Sequence, residues 1–328
     1  MRGVIATTGG VDLWSHFSGV FAEDAPELTV MQRQDVQDPA QVDFVFTFIP
    51  PGDLFEGMTR LKAIFSAGAG TDAIMACPSR PAHVPVYRVE DADQALQMAG
   101  FAAFHVLWHH RDMGRYVAQQ ARGAWARRVI GLSPAYRRVG VLGFGHMGRA
   151  IAKGLIGLGY PVAGYSRRAP EPAEPGVEHF HGEGLDAFLA RTDILVNVLP
   201  LTDATRGLID AGFLSKLPQG GALVQMGRGG QVVEDDLIAQ LDSGHLSGAS
   251  MDVFETEPLP QGHPPRGYVS VKASKDGILK QVVPDFLNLK ENYQLLWNIG
   301  SNDGYLHLVG IMQKFVDQAI SANTNYDS

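Results

Sequence analysis

The chain contains a single cysteine, Cys77, in 328 residues. One thiol excludes a disulfide framework, a CxxC metal site and a redox-active pair, and no metal is expected. No apolar stretch reaches the ~18 residues that a membrane-spanning helix needs. The opening residues, MRGVIATTGG, lack the charged-then-apolar layout of a signal peptide. A cytoplasmic protein with no membrane partner is therefore expected. Basic residues are also scarce: 27 Lys and Arg against 35 Asp and Glu give a net charge of −8. With no basic excess to neutralise phosphates, a nucleic-acid partner is not expected. The apolar fraction of 45% against 19% charged residues is that of an ordered globular chain.

Glycine, by contrast, is abundant, with 38 residues, as in α/β proteins with many tight strand–helix turns. Short apolar or β-branched runs alternate with helical patterns. Strands are read at Gly3–Thr8, Asp43–Phe48 and Leu61–Phe65, and a helix at Val11–Phe21. This alternation indicates a parallel sheet. From Asp93 to about Ala121 runs one long helical pattern of the kind that bridges domains. A second series follows: strands at Val139–Leu142, Pro161–Tyr165, Asp193–Val198, Gly221–Met226 and Ser247–Val253, with helices at Arg149–Leu158 and Glu234–Asp242. The character changes near Pro264. Beyond it, Val269–Ala273 reads as a strand, and 276–283, 287–297 and 302–320 as helices.

Gly143-Phe144-Gly145-His146-Met147-Gly148 lies between a strand and a helix. In that setting Gly143 allows the tight turn, Gly145 lets a pyrophosphate approach the backbone, and Gly148 brings helix and sheet together. The helix N-terminus then offers N–H donors to the phosphates. A purely structural glycine turn is the alternative. After the next strand come Ser166, Arg167 and Arg168, where NAD-selective sites carry an acidic residue for the ribose hydroxyls. Arginine can pair with a 2′-phosphate that a carboxylate would repel, which favours NADPH over NADH. Two solvated surface arginines are the alternative.

With these residues in view, residues 1 to about 263 resemble the D-isomer-specific 2-hydroxyacid dehydrogenases, most of all their glyoxylate/hydroxypyruvate reductase branch. The matching stretches are SAGAGTD at 66–72, VGVLGFGHMG at 139–148, DILVNVLPLTDAT at 193–205, MGRGGQVVEDDL at 226–237 and MDVFETEPLP at 251–260. The resemblance implies an α/β fold of two lobes with the active site between them. A flavodoxin-like substrate domain (1–100) would precede an NAD(P)-binding Rossmann domain with a doubly wound parallel sheet (101–263). It implies NADPH-dependent reduction of a small 2-oxo acid, glyoxylate or hydroxypyruvate, by a homodimer. Arg228 would grip the substrate carboxylate and ketone oxygen, with backbone amides at Ala69 and Gly70 holding the carboxylate. Glu257 would raise the pKa of a proton-donating histidine. Asp252 would meet the nicotinamide amide, and Leu199, Pro200 and Thr205 would line the cofactor cleft.

The family's acid histidine lies downstream of that glutamate, in a segment like T-P-H-I/V-A. No such segment follows Glu257 here. His263 matches the family's linker His-Pro, and His307 is read as a helix-surface residue. Instead, residues 264–285 and 302–327 resemble a fragment of the large chain of class I ribonucleotide reductase, implying a foreign, mostly helical tail and a composite chain. That tail has no cysteine, so ribonucleotide reduction is excluded by inventory. Two functions are expected to compete: a strongly impaired reductase, and a non-catalytic NADPH-binding protein.

Overall fold

A computed structural model describes residues 1–257 apart from 11, 89–91, 126–130 and 170. The readings of 264–328, with His263 and His307, lie outside the described residues. These divide into two compact units at Asp93/Gln94, and each is taken by itself.

The first unit is a five-stranded parallel sheet. It comprises β1 (Arg2–Ile5), α1 (Leu13–Asp24), β2 (Thr29–Gln32), β3 (Phe44–Thr47), β4 (Ala63–Ser66), α2 (Asp72–Met75) and β5 (Val86–Tyr87). The strand order β2-β1-β3-β4-β5, with every pair parallel, is the flavodoxin-like order. Asp12 caps α1 by accepting from the Ser15 N–H at 3.1 Å, satisfying a donor that a helix N-terminus leaves open. Phe17 and Phe21 of α1 then pack on Phe44, Phe46 and Phe65 of the sheet. The other face is covered by Leu54, Phe55, Met58, Leu61 and Ile74. Strands buried on both faces read as continuous apolar runs, as FVFT of β3 does.

The boundary falls just inside the start of α3 (Ala92–Arg111), and the second unit holds the rest of that helix and α4 (Met113–Ala121). It continues through β6 (Val139–Leu142), α5 (His146–Gly157), β7 (Val162–Ser166), β8 (Val177–His181) and α6 (Leu185–Ala190). It closes with β9 (Ile194–Asn197), α7 (Ala211–Leu214), β10 (Gly221–Gln225), α8 (Glu234–Asp242) and β11 (Leu246–Met251). Its sheet runs β11-β10-β9-β6-β7-β8, all parallel. This is the doubly wound Rossmann order, which reverses between β6 and β9. One face is covered by Ile151, Ala152 and Leu155 of α5 with Ala99, Ala102 and Val106 of α3. Phe188, Leu214, Leu237 and Leu241 cover the other.

Two expectations change. The long pattern from Asp93 to Ala121 is two helices, broken at Asp112, whose φ of 53° is left-handed. No proline or glycine at that position announces the break. The helix after the glycine loop begins at His146 rather than Arg149, because Gly145 already serves as its cap. Among the described residues no helix is long and apolar enough to cross a membrane.

Candidate functional site

In a doubly wound sheet, ligands gather where the strand order reverses, outside the carboxyl ends of the strands. In the second unit the loop at that point is Gly143–Gly148. Gly143 has φ 103°, and its N–H donates to the Tyr165 carbonyl at 3.0 Å. A Cβ there would stand 3.0 Å from the Leu199 nitrogen, so this loop lies against the turn after β9. Phe144 turns inward: its ring lies over Gly164, where a Cβ would stand 2.3 Å away. It also meets His179 edge-on at 4.9 Å. Gly145 and His146 are exposed and Met147 is half-buried.

The cradle fits a phosphate group. Gly145 caps α5 with no side chain bonded to the helix N-terminus, and a Cβ there would meet nothing within 4 Å. Bare backbone amides at the end of a helix of 12 residues, with open space in front of them, form an anion site. Ser166 ends the neighbouring strand β7, its hydroxyl donating to the Arg168 carbonyl at 2.6 Å. Arg167 and Arg168 are exposed, and among the described residues neither makes an ion pair.

The remaining strand ends carry the other expected residues. After β9, Thr205 Oγ1 donates to the Pro200 carbonyl at 2.7 Å and accepts from the Thr202 N–H at 2.8 Å, closing the turn that starts at Leu199. After β10, the Arg228 Nη1 donates to the Gly227 carbonyl at 2.9 Å, with the side chain half-buried. Two glycines flank it in tight places. A Cβ on Gly229 would stand 1.8 Å from the Phe254 carbonyl carbon, which holds the Arg228 loop against the segment after β11. There the Asp252 N–H donates to the Gln225 carbonyl at 2.9 Å. Glu257 is exposed, and its Oε1 accepts from the Phe254 N–H at 2.9 Å. The glycine loop, the Leu199–Thr205 turn, the Arg228 loop and the 252–257 segment thus share one rim of one sheet.

Ala69 and Gly70 belong to the first unit, in the loop after β4, and are half-exposed. Ser66 shapes that loop: its hydroxyl donates to the Gly70 carbonyl at 2.9 Å and accepts from the Gly68 N–H at 3.3 Å. Among the described residues the Ala69 and Gly70 amides donate no hydrogen bond.

Three side chains that sequence reasoning missed support the rim. Asn197, Gln225 and Gln231 are fully buried and bonded to one another. Asn197 and Gln231 lie within matching stretches and Gln225 just before one, but polar residues at or past a strand end carry no signal of burial in one sequence.

Comparisons with known proteins agree with this architecture. The sequence model of the D-isomer specific 2-hydroxyacid dehydrogenase NAD binding domain matches residues 103–272, which runs past the junction expected at Pro264. Glyoxylate/hydroxypyruvate reductase A of Photorhabdus laumondii is 38% identical over 236 residues, 69% of this chain and 74% of that one. Its Salmonella typhi counterpart is 39% identical over 239 residues, 70% and 74% of the two chains. Among solved structures, a D-isomer specific 2-hydroxyacid dehydrogenase from Xanthobacter autotrophicus Py2, in complex with NADPH and MES, superposes with a TM-score of 0.76. It is 35% identical and covers 89% of this chain and 95% of its own. The NADPH-dependent glyoxylate/hydroxypyruvate reductase of Sinorhizobium meliloti, solved with NADP and sulfate, gives 0.75 at 31% identity, with 90% and 95% covered. A domain match over half the chain, relatives in sequence over two thirds of it, and a solved member of similar fold at 35% identity together place this chain in the D-isomer specific 2-hydroxyacid dehydrogenase family.

Proposed function

We propose that the chain binds NADPH and is built to reduce a small 2-oxo acid of the glyoxylate or hydroxypyruvate class to its D-2-hydroxy acid. The observation that carries this is the uncapped N-terminus of α5 behind an open Gly145, beside a β7 end with two exposed arginines and no acid. The names of the relatives in sequence and the ligands of the solved structures support the same cofactor and substrate.

In this reading Gly143–Gly148 receives the pyrophosphate, and Ser166, Arg167 and Arg168 receive the 2′-phosphate. Leu199, Pro200, Thr205 and Asp252 border the nicotinamide half. When bound, the reduced nicotinamide supplies a hydride to the substrate's 2-carbon. Arg228 grips the carboxylate and the ketone oxygen with its planar fork, and so stabilises the negative charge that develops on that oxygen. In the first unit, the Ala69 and Gly70 amides offer donors suited to a carboxylate.

In this reading Glu257 would raise the pKa of a proton-donating imidazole, yet no family-type histidine segment follows it in the sequence. Loss of a general acid lowers a rate by ~10²–10⁴-fold. That sequence observation favours a second reading, an NADPH-binding composite chain without turnover. Following NADPH absorbance after adding glyoxylate separates the two. Slow, saturable oxidation supports the impaired reductase, and none, with NADPH still bound, supports the second. No NADPH binding at all rejects both.

A further inference from the structure

The proposed chemistry makes no use of Asn197, Gln225 and Gln231, yet all three are shut off from solvent at the rim that carries Arg228. Gln231 is their junction. Its carbonyl oxygen accepts from Asn197 Nδ2 at 2.8 Å, from Gln225 Nε2 at 3.3 Å and from the Arg228 N–H at 2.9 Å. Its Nε2 donates to the carbonyl oxygens of Leu199 at 2.9 Å and Pro200 at 3.1 Å. Asn197 and Gln225 complete the set: Asn197 Nδ2 donates to Gln225 Oε1 at 2.6 Å, and Gln225 Nε2 donates to the Arg228 carbonyl at 2.8 Å.

Buried amides cost free energy when unpaired and hold one arrangement when every donor and acceptor is matched. Here the two ends of a single carboxamide face two different loops. Neither loop can shift without stripping a buried partner from the other. The fit leaves no slack, since a Cβ on Gly227 would stand 2.2 Å from Gln231 Oε1 and 2.8 Å from the Leu199 carbonyl oxygen.

We infer that Gln231 is a positioning residue that ties the Arg228 loop to the Leu199–Pro200 turn, so that cofactor binding beside the turn strengthens the grip of Arg228 on a carboxylate. The inference rests on the proposed roles of Arg228, Leu199 and Pro200. Coupling of this kind is reciprocal, so it can be read from either ligand.

The test titrates the full chain with NADPH, followed by its fluorescence, with and without oxalate as a carboxylate probe. In the unsubstituted chain oxalate should tighten NADPH binding by about fivefold or more. In Gln231→Met, which keeps the volume and lacks the amide, the factor should fall to near one while the circular dichroism is unchanged. Gln231→Asn, too short to span both loops, should behave alike. A hydrogen-exchange measurement needs no substitution: NADPH should slow exchange of the Arg228 amide. Absence of coupling in the unsubstituted chain, undiminished coupling in both variants, or an Arg228 amide indifferent to NADPH would each overturn the role of Gln231. A chain that binds neither NADPH nor oxalate rejects the underlying site assignment instead.

Discussion

A Cβ placed on Gly148 would stand 2.0 Å from the carbonyl oxygen of Gly143, so the first turn of α5 rests directly on the backbone leaving β6. Gly148→Ala must force these segments apart. Alanine gains up to ~1 kcal/mol in helix propensity, but overpacking of this kind costs ~1–3 kcal/mol, and the contact is with backbone that cannot swing aside. Net destabilisation and a loss of NADPH binding are expected, measured by denaturant melts and fluorescence titration. A variant as stable as the parent, with unchanged affinity, would show that the loop has room.

Arg167 and Arg168 sit exposed beyond Ser166, and are the groups proposed to receive the 2′-phosphate. Replacing both by Ala should weaken NADPH by ~10–100-fold, the range of one net hydrogen bond to a charged group. NADH, which has no phosphate there, should bind about as before. Equal losses for the two nucleotides would contradict the assignment.

Much of this site could be read from residues whose chemistry has a fixed place in a strand–turn–helix unit. Gly143 is where the backbone must turn and Gly148 where it must touch, while Gly145 leaves the helix end open; the strands β6, β7, β9 and β10 announce themselves as short apolar runs. What stayed hidden depends on tertiary partners. β8 (Val177–His181) is an edge strand of mixed polarity, with Glu178 and His181 exposed, and it lacks the apolar signature. β2 and β5 are short edge strands for the same reason. The break at Asp112 is an aspartate in a left-handed conformation, which local pattern does not reveal. The amides of Asn197, Gln225 and Gln231 are polar residues whose burial follows only from the loops folded over them.

His105 lies on the buried face of α3, its ring 4.3 Å from that of Phe101 and 5.0 Å from that of Phe104. Burial lowers its pKa from 6.5 to about 4. Between these values the unfolded chain binds the extra proton and the folded chain does not. The contribution of His105 to stability is therefore complete above pH 6.5 and is lost as the pH drops toward 4, by about 3 kcal/mol at most, and His109, lowered to about 3, adds to the same decline. His105→Phe should flatten that decline, as seen in melting temperature against pH. An unchanged slope would assign the loss to other groups.

Asp112 holds its left-handed φ of 53° between α3 and α4, a conformation that costs an L-residue ~1–2 kcal/mol and glycine almost nothing. Asp112→Gly should keep or slightly raise stability, and Asp112→Val should lower it by ~1–2 kcal/mol. Urea midpoints would rank the three chains. A valine variant as stable as glycine would mean that the two helices had merged.

The mixed polarity of β8 has one more consequence, for self-association. A strand that ends a sheet leaves half its backbone groups free to recruit another chain, and natural proteins blunt such borders with charge. Here Glu178, ion-paired to Arg191 at 3.3 Å, and the exposed His181 stand along that border. A second strand docking there would have to bury a carboxylate and an imidazole, so this flank of the sheet is guarded against fibre-like growth.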